Sequence, residues 1–280
     1  DLDVFMLWAQ RPARAGLGDR RHLTRQLGGF QAGAVFFPAL PISRDQCRLL
    51  RHKEVRPATN PHERPPRMTR IVFDLDGTLI DSAADVQGIA NALLPPDQPP
   101  LTLAETRAFM GEGVPTFLQR MIAARGLDPE GYDTLHKGFL ARYDTAVGQT
   151  TVYPGVAETL ESLRAAGHRL GVCTNKPARP ARAVLAHLGL AEYFDVMLGG
   201  DSLPQRKPDP APLLAILANL GDTHALYVGD SETDAATAHA AAVPFLLFTE
   251  GYPKGPAEAI DCAGRFSRFA ELPDLVAELG

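Results

Sequence analysis

Cysteine is scarce in this sequence: Cys47, Cys173 and Cys262 are the only three in 280 residues, an odd and widely spaced set. That excludes a disulfide framework and fits a reducing compartment, so a cytoplasmic protein is expected. No apolar run approaches the ~20 residues that a membrane helix needs, and the longest candidates, such as Val243 to Phe248, have the length of a strand. No membrane partner is expected. The eight histidines show neither an H-E-x-x-H pattern nor paired Cys/His spacing, which argues against a zinc site. Internal repeats and low-complexity segments are absent as well.

With 45% hydrophobic and 22% charged residues the chain is globular, and its length allows one core with an inserted or appended unit. Charge is uneven. Residues 1–67 carry 12 Lys+Arg against 6 Asp+Glu, whereas the remainder carries 16 against 27. The first 67 residues hold no sustained 3.6 or 2.0 period and are interrupted by seven prolines, which predicts poor order. Their arginines stand singly or in pairs and are not interleaved with aromatics, so a nucleic-acid arm is disfavoured. A transit peptide would be richer in serine than a stretch with Ser43 alone. Met68 stands directly before a strand-like run, and the expectation is that residues 1–67 precede the protein's own start.

From Arg70 onward, buried-strand patterns alternate with amphipathic helices. Ile71 to Phe73, Leu170 to Thr174, Val196 to Leu198, Ala225 to Val228 and Phe245 to Phe248 read as strands. Ser82 is placed to cap a helix with Val86, Ile89, Ala90 and Leu93 on one face. Further helical faces are Val156, Thr159, Leu160 and Leu163; Val184, Leu185 and Leu188; and Leu213, Leu214, Ile216, Leu217 and Leu220. Gly167, Gly189 and Gly221 stand where such helices stop. This alternation predicts an α/β fold with a parallel sheet covered on both faces. Residues 85–149 break the pattern with helical signals alone: a capping box at Thr102 and Glu105, then Phe117, Leu118, Met121 and Ile122, then Leu135, Phe139, Leu140 and Tyr143. They read as a helical insertion after the first strand, with 68–84 and 150–280 as the core.

Two carboxylates, Asp74 and Asp76, follow the first apolar strand. Residues i and i+2 point the same way in extended chain, so both address one spot at the sheet's carboxyl edge, where open α/β sheets place ligands. Alone they would repel each other, and a hard cation relieves this. Further carboxylates, Asp230 and Asp234, follow the strand that ends at Val228. Each has a bland reading, Asp230 as a helix cap and Asp234 as a first-turn acid. Set beside Asp74 and Asp76, they point to an oxygen-lined Mg²⁺ site. Phosphate chemistry also needs cationic or hydrogen-bonding groups, and Thr174, Asn175 and Lys207 lie where their strand or loop opens on the same edge.

Together, Asp74-Leu75-Asp76-Gly77-Thr78, Thr174-Asn175, Lys207-Pro208 and Gly229-Asp230-Ser231-Glu232-Thr233-Asp234 resemble, in order, the four motifs of the haloacid dehalogenase superfamily. The resemblance covers about Met68 to Gly280. It implies a Rossmann-like, doubly wound parallel sheet with a small mobile helical cap inserted after the first strand. Val172-Cys173-Thr174-Asn175-Lys176-Pro177, Gly111-Glu112-Gly113 and Gly229-Asp230-Ser231 are similar to phosphoglycolate phosphatases. The roles implied are Asp74 as nucleophile and Asp76 as general acid and base. Mg²⁺ is expected on Asp74, Asp76 through its main-chain carbonyl, and Asp230, with Asp234 steadying it. Thr174, Asn175 and Lys207 are expected on the phosphoryl group. In the cap, Gly111 and Gly113 are expected to approach the substrate, and Arg120 to take its carboxylate. The expected partner is a small phosphorylated metabolite, foremost 2-phosphoglycolate.

Alternatives remain at this level. A dehalogenase would lack the acid at Asp76, and a phosphonate hydrolase would need a cap lysine for which the insertion offers only Lys137. Another small-metabolite phosphatase or a sugar-phosphate mutase shares the whole core. A noncatalytic phosphate-binding regulatory module would be expected to have lost an acid, and none is missing.

Overall fold

The computed structural model of the protein describes residues 68–279 other than Asp222; the expectations for residues 1–67 lie outside the described residues. β1 (Thr69–Phe73), β4 (Arg169–Cys173), β5 (Val196–Leu198), β6 (His224–Gly229), β7 (Phe245–Phe248) and β8 (Gly264–Phe266) form a six-stranded sheet. Its order is β5-β4-β1-β6-β7-β8, and every pairing is parallel. Successive side chains alternate between its faces. Ile71, Phe73, Leu170, Val172, Leu226 and Val228 join one apolar cluster with helices Val156–Ala165, Ala178–His187 and Leu272–Leu279. Val72, Cys173, Tyr227, Phe245 and Leu247 join another with Ala211–Leu220 and Glu232–Ala240. The chain builds outward from β1 through β4 to β5, then returns to β6 on the other side. Strand order therefore reverses at β1, the place where such sheets open a crevice at their carboxyl edge.

The insertion carries α1 (Ala83–Leu93), α2 (Leu103–Phe109), α3 (Gly113–Arg125) and α4 (Tyr132–Tyr143). Its core is a third cluster including Val86, Phe117, Leu118, Met121 and Phe139. The capping box at α2 forms as the spacing predicts, with Glu105 N donating to Thr102 Oγ1 and Thr102 N to Glu105. Chain exit and return lie side by side. β2 (Ile80–Asp81) pairs antiparallel with β3 (Thr151–Val152), and Asp85 accepts from the main chain of Gln149 and Thr150.

Some side chains depart from the sequence reading. Leu140 and Leu214 are exposed, because each stands at the edge of its helix's apolar stripe. Ser82 holds the position before α1 but makes no capping bond; its hydroxyl is drawn to Asp76 instead. Among the described residues no helix is long and apolar enough to cross a membrane.

Candidate active site

At the carboxyl ends of β1 and β4, Asp74, Asp76, Thr174 and Asn175 line a narrow cleft with Gly111 and Gly113 of the insertion, while Lys207, Asp230 and Asp234 gather beside Asp74. Asp74 is the first residue past β1, its N–H held by the Val228 carbonyl at 2.8 Å. Asp230 is the first past β6. Between them the chain turns sharply at Gly77, whose φ is +91°. A Cβ there would lie 2.4 Å from Asp230 Oδ2, so only glycine lets the two segments meet. Gly251 is equally constrained, since its Cβ would fall 2.3 Å from that of Asp230.

Asp74, Asp230 and Asp234 each present an oxygen within 4.8 Å of the others, and all three are buried. The cation beside them is Lys207, whose Nζ lies 2.8 Å from Asp74 and 2.7 Å from Asp234. Tyr227, on β6, donates to the same Asp234 oxygen at 2.8 Å. Asp234 is not free to serve as an ordinary ligand, because its other oxygen accepts from Ser231 Oγ at 2.6 Å. Ser231, rather than Asp230, caps the helix Glu232–Ala240. Asp230 is instead anchored by the Thr78 hydroxyl at 2.9 Å and Tyr252 N at 2.6 Å.

These contacts set the electrostatics. Burial drives the Asp74 carboxyl well above its ordinary range; Lys207 opposes the rise, while Asp234 and Asp230 add to it. Burial, then Asp234, pushes Asp230 up to about 7. Asp234 suffers the same burial, but the charge of Lys207 and the bonds from Lys207, Ser231 and Tyr227 outweigh it and hold that carboxyl low. One lysine thus pairs with two of three buried carboxylates, and its single charge offsets only one of theirs. The donor set is all oxygen and short of positive charge, which fits a hard divalent cation.

Asp76 lies apart from that triad. Its Oδ1 accepts from the Ser82 hydroxyl and, at 3.1 Å, from Lys176 Nζ. Lys176 also donates to the Tyr143 hydroxyl of α4 at 3.0 Å. Burial works against the Lys176 charge, but Asp76 and Tyr143 together outweigh it and keep the amine well above its ordinary value. Thr174 lines the cleft and accepts from Lys176 N. Asn175 lines it too; its amide donates to the carbonyls of Gly111 and Lys207, while its Oδ1 is buried without a donor.

Gly111 and Gly113 reach the cleft, together with Val86, Met110, Val114, Phe117 and Phe139. Arg120 does not. Its guanidinium is spent on Glu112 and on the Phe109 carbonyl, and it lines no part of the cleft. Sequence reasoning gave Lys176, Thr78, Ser82, Tyr143 and Tyr227 no role in the site. Lys176 and Thr78 sit inside the recognised motifs, so adjacency was a usable signal. For Tyr143 and Tyr227 the apolar face of their own element was an adequate explanation.

The family model described as haloacid dehalogenase-like hydrolase matches residues 71–248. A phosphoglycolate phosphatase of Cereibacter sphaeroides is 50% identical over 216 residues, spanning 76% of this chain and 99% of that protein. One of Rhodospirillum rubrum is 44% identical, spanning 73% and 89%. The crystal structure of a predicted phosphoglycolate phosphatase from Haemophilus somnus superposes with a TM-score of 0.70 at 31% identity, covering 74% of this chain and 97% of that one.

Proposed function

This chain belongs to the haloacid dehalogenase-like hydrolases, and from that premise we propose that it is a magnesium-dependent phosphatase of 2-phosphoglycolate working through an aspartyl phosphate. The observation that carries the reading is the buried Asp74–Asp230–Asp234 triad with Lys207 between two of its members. The substrate follows from the relatives at 44–50% identity that bear the name phosphoglycolate phosphatase.

An oxygen of Asp74 attacks phosphorus while the bond to the glycolate oxygen breaks, and that oxygen takes a proton from Asp76. Asp76 then receives a proton from water, whose oxygen attacks the same phosphorus. The bond to Asp74 breaks, orthophosphate leaves, and both carboxyls return to their starting states. Ser82 and Lys176 both bond Oδ1 of Asp76, which leaves Oδ2 to carry the moving proton. Lys207 orients Asp74 and sets positive charge beside the transferring group; the Thr174 hydroxyl takes a phosphoryl oxygen. Asn175 braces the loop by holding the Gly111 and Lys207 carbonyls.

Magnesium bound by Asp74, Asp230 and the main-chain carbonyl of Asp76, with Asp234 steadying it, supplies charge that offsets repulsion between nucleophile and phosphoryl oxygens. The insertion, residues 85–149, acts as a cap that excludes water from the cleft. A phosphate-release panel with and without Mg²⁺ tests the reading, using 2-phosphoglycolate, pyrophosphate and sugar phosphates. Metal-dependent turnover with the highest kcat/KM on 2-phosphoglycolate is expected; a sugar phosphate turned over faster would displace that substrate.

A further inference from the structure

We infer, on the basis of the phosphatase reading, that Lys176 binds the carboxylate of the substrate's leaving group. Among the described residues it is the one cation lining the cleft. The rest of the lining is acidic (Asp74, Asp76), neutral (Thr174, Asn175, Tyr143) or apolar, and a carboxylate shed of its water against such walls would be strongly disfavoured.

Three of the neighbouring cations are committed elsewhere. Lys207 already donates to Asp74, Asp234 and Tyr227. Arg120 is held by Glu112 and the Phe109 carbonyl. Lys254 closes on the carbonyls of Arg107 and Met110. Arg206, although near Gly113, is exposed and lines the adjoining cleft.

Lys176 differs from all of these. Its side chain is 3% exposed, and of its three ammonium donors Asp76 and Tyr143 take two. The third is available to a ligand in the cleft. Its position also suits the chemistry, because the oxygen that Asp76 protonates and the carboxylate of glycolate are separated by a single carbon. A cation bonded to Asp76 therefore stands within reach of both.

The test compares wild type with Lys176→Met on 2-phosphoglycolate and on ethyl phosphate, which lacks the carboxylate. Loss of support for Asp76 should slow both substrates alike. Loss of a carboxylate contact should slow 2-phosphoglycolate by a further factor on the order of 100. Equal losses would reduce Lys176 to a positioning residue for Asp76 and overturn the inference. Inhibition supplies a second readout: wild type should prefer 3-phosphonopropionate to propylphosphonate, and Lys176→Gln should erase the preference. No preference in wild type overturns the inference even if neither variant folds. A wild type that hydrolyses neither ester with Mg²⁺ removes the phosphatase reading itself. A wild type selective for 2-phosphoglycolate whose Met variant keeps that selectivity removes only the role of Lys176.

Discussion

The sheet edge and the helical insertion treat charge in opposite ways. At the edge Asp74, Lys207, Asp230 and Asp234 are all less than one-tenth exposed and bonded to one another or to fixed hydroxyls and amides. In the insertion the interior is mostly apolar: Asp85 is buried only where the chain returns to the core, and pairs such as Arg120–Glu112 and Arg107–Asp81 sit at its surface or its margin. Buried charges interact strongly and cost much when unpaired, whereas surface pairs are screened. The edge is thus densely bonded yet short of positive charge. The insertion covers it chiefly with side chains that carry no charge.

The sharpest way to break this contrast is at Asp74. Asp74→Asn should lower kcat by at least about 10⁴-fold, since the nucleophile is gone, yet leave stability unchanged or improved because a disfavoured buried charge is removed. Steady-state kinetics and thermal unfolding together check this, and near-normal turnover would refute the covalent route. Lys207→Met should cost stability instead, about 3–5 kcal/mol, by leaving Asp74 and Asp234 without their cation. Urea unfolding of the metal-free protein measures it.

A pH series sharpens the comparison next. Asp74 and Asp230 have raised carboxyls in the fold, Asp230 at about 7. The unfolded chain therefore gives up these protons first, and stability falls as pH rises from about 4 to about 7. Asp234 is lowered, so its contribution changes below that window and does not cancel the trend. Metal-free protein should melt several degrees lower at pH 7.5 than at pH 5, and Mg²⁺ should flatten the slope by favouring the ionised forms. An identical slope with and without the metal would place the cation elsewhere.

Surface pairs of the insertion should matter least. Arg107→Ala removes a partner of Asp81 whose side chain is 42% exposed, and a loss of at most about 1 kcal/mol is expected from denaturant unfolding. Arg120→Ala should change kcat/KM by less than about threefold, equally on 2-phosphoglycolate and ethyl phosphate, because its partner Glu112 is a surface residue. A selective loss on the carboxylated substrate would return Arg120 to the specificity site.

Strands and helices were legible where periodicity was long enough to register. Val196 to Leu198 and Phe245 to Phe248 are strands with the boundaries read from the sequence, and the others differ by a residue or two. β8 was not legible, because Gly264–Phe266 contributes one buried side chain and is a strand only by pairing with β7. β2 and β3, two residues each, exist because the two crossings of the insertion run side by side.

The motif residues themselves were determined by sequence: carboxylates directly after apolar strands have few structural uses, so Asp74, Asp76 and Asp230 announced a site before any fold was known. Which partner each carboxylate keeps was decided by tertiary structure alone. Asp234 looked like a first-turn acid yet is bound to Lys207, 27 residues away, and Asp76 is held by Lys176, 100 residues away. Arg120 and Lys176 show the same division, since both are basic residues, one on the helix that follows Gly111-Glu112-Gly113 and the other inside a recognised motif. Local sequence states that each carries charge; Arg120 meets Glu112 at the start of its own helix, whereas only the meeting of the β4 end with Asp76 and with Tyr143 of α4 seals the Lys176 ammonium inside the cleft.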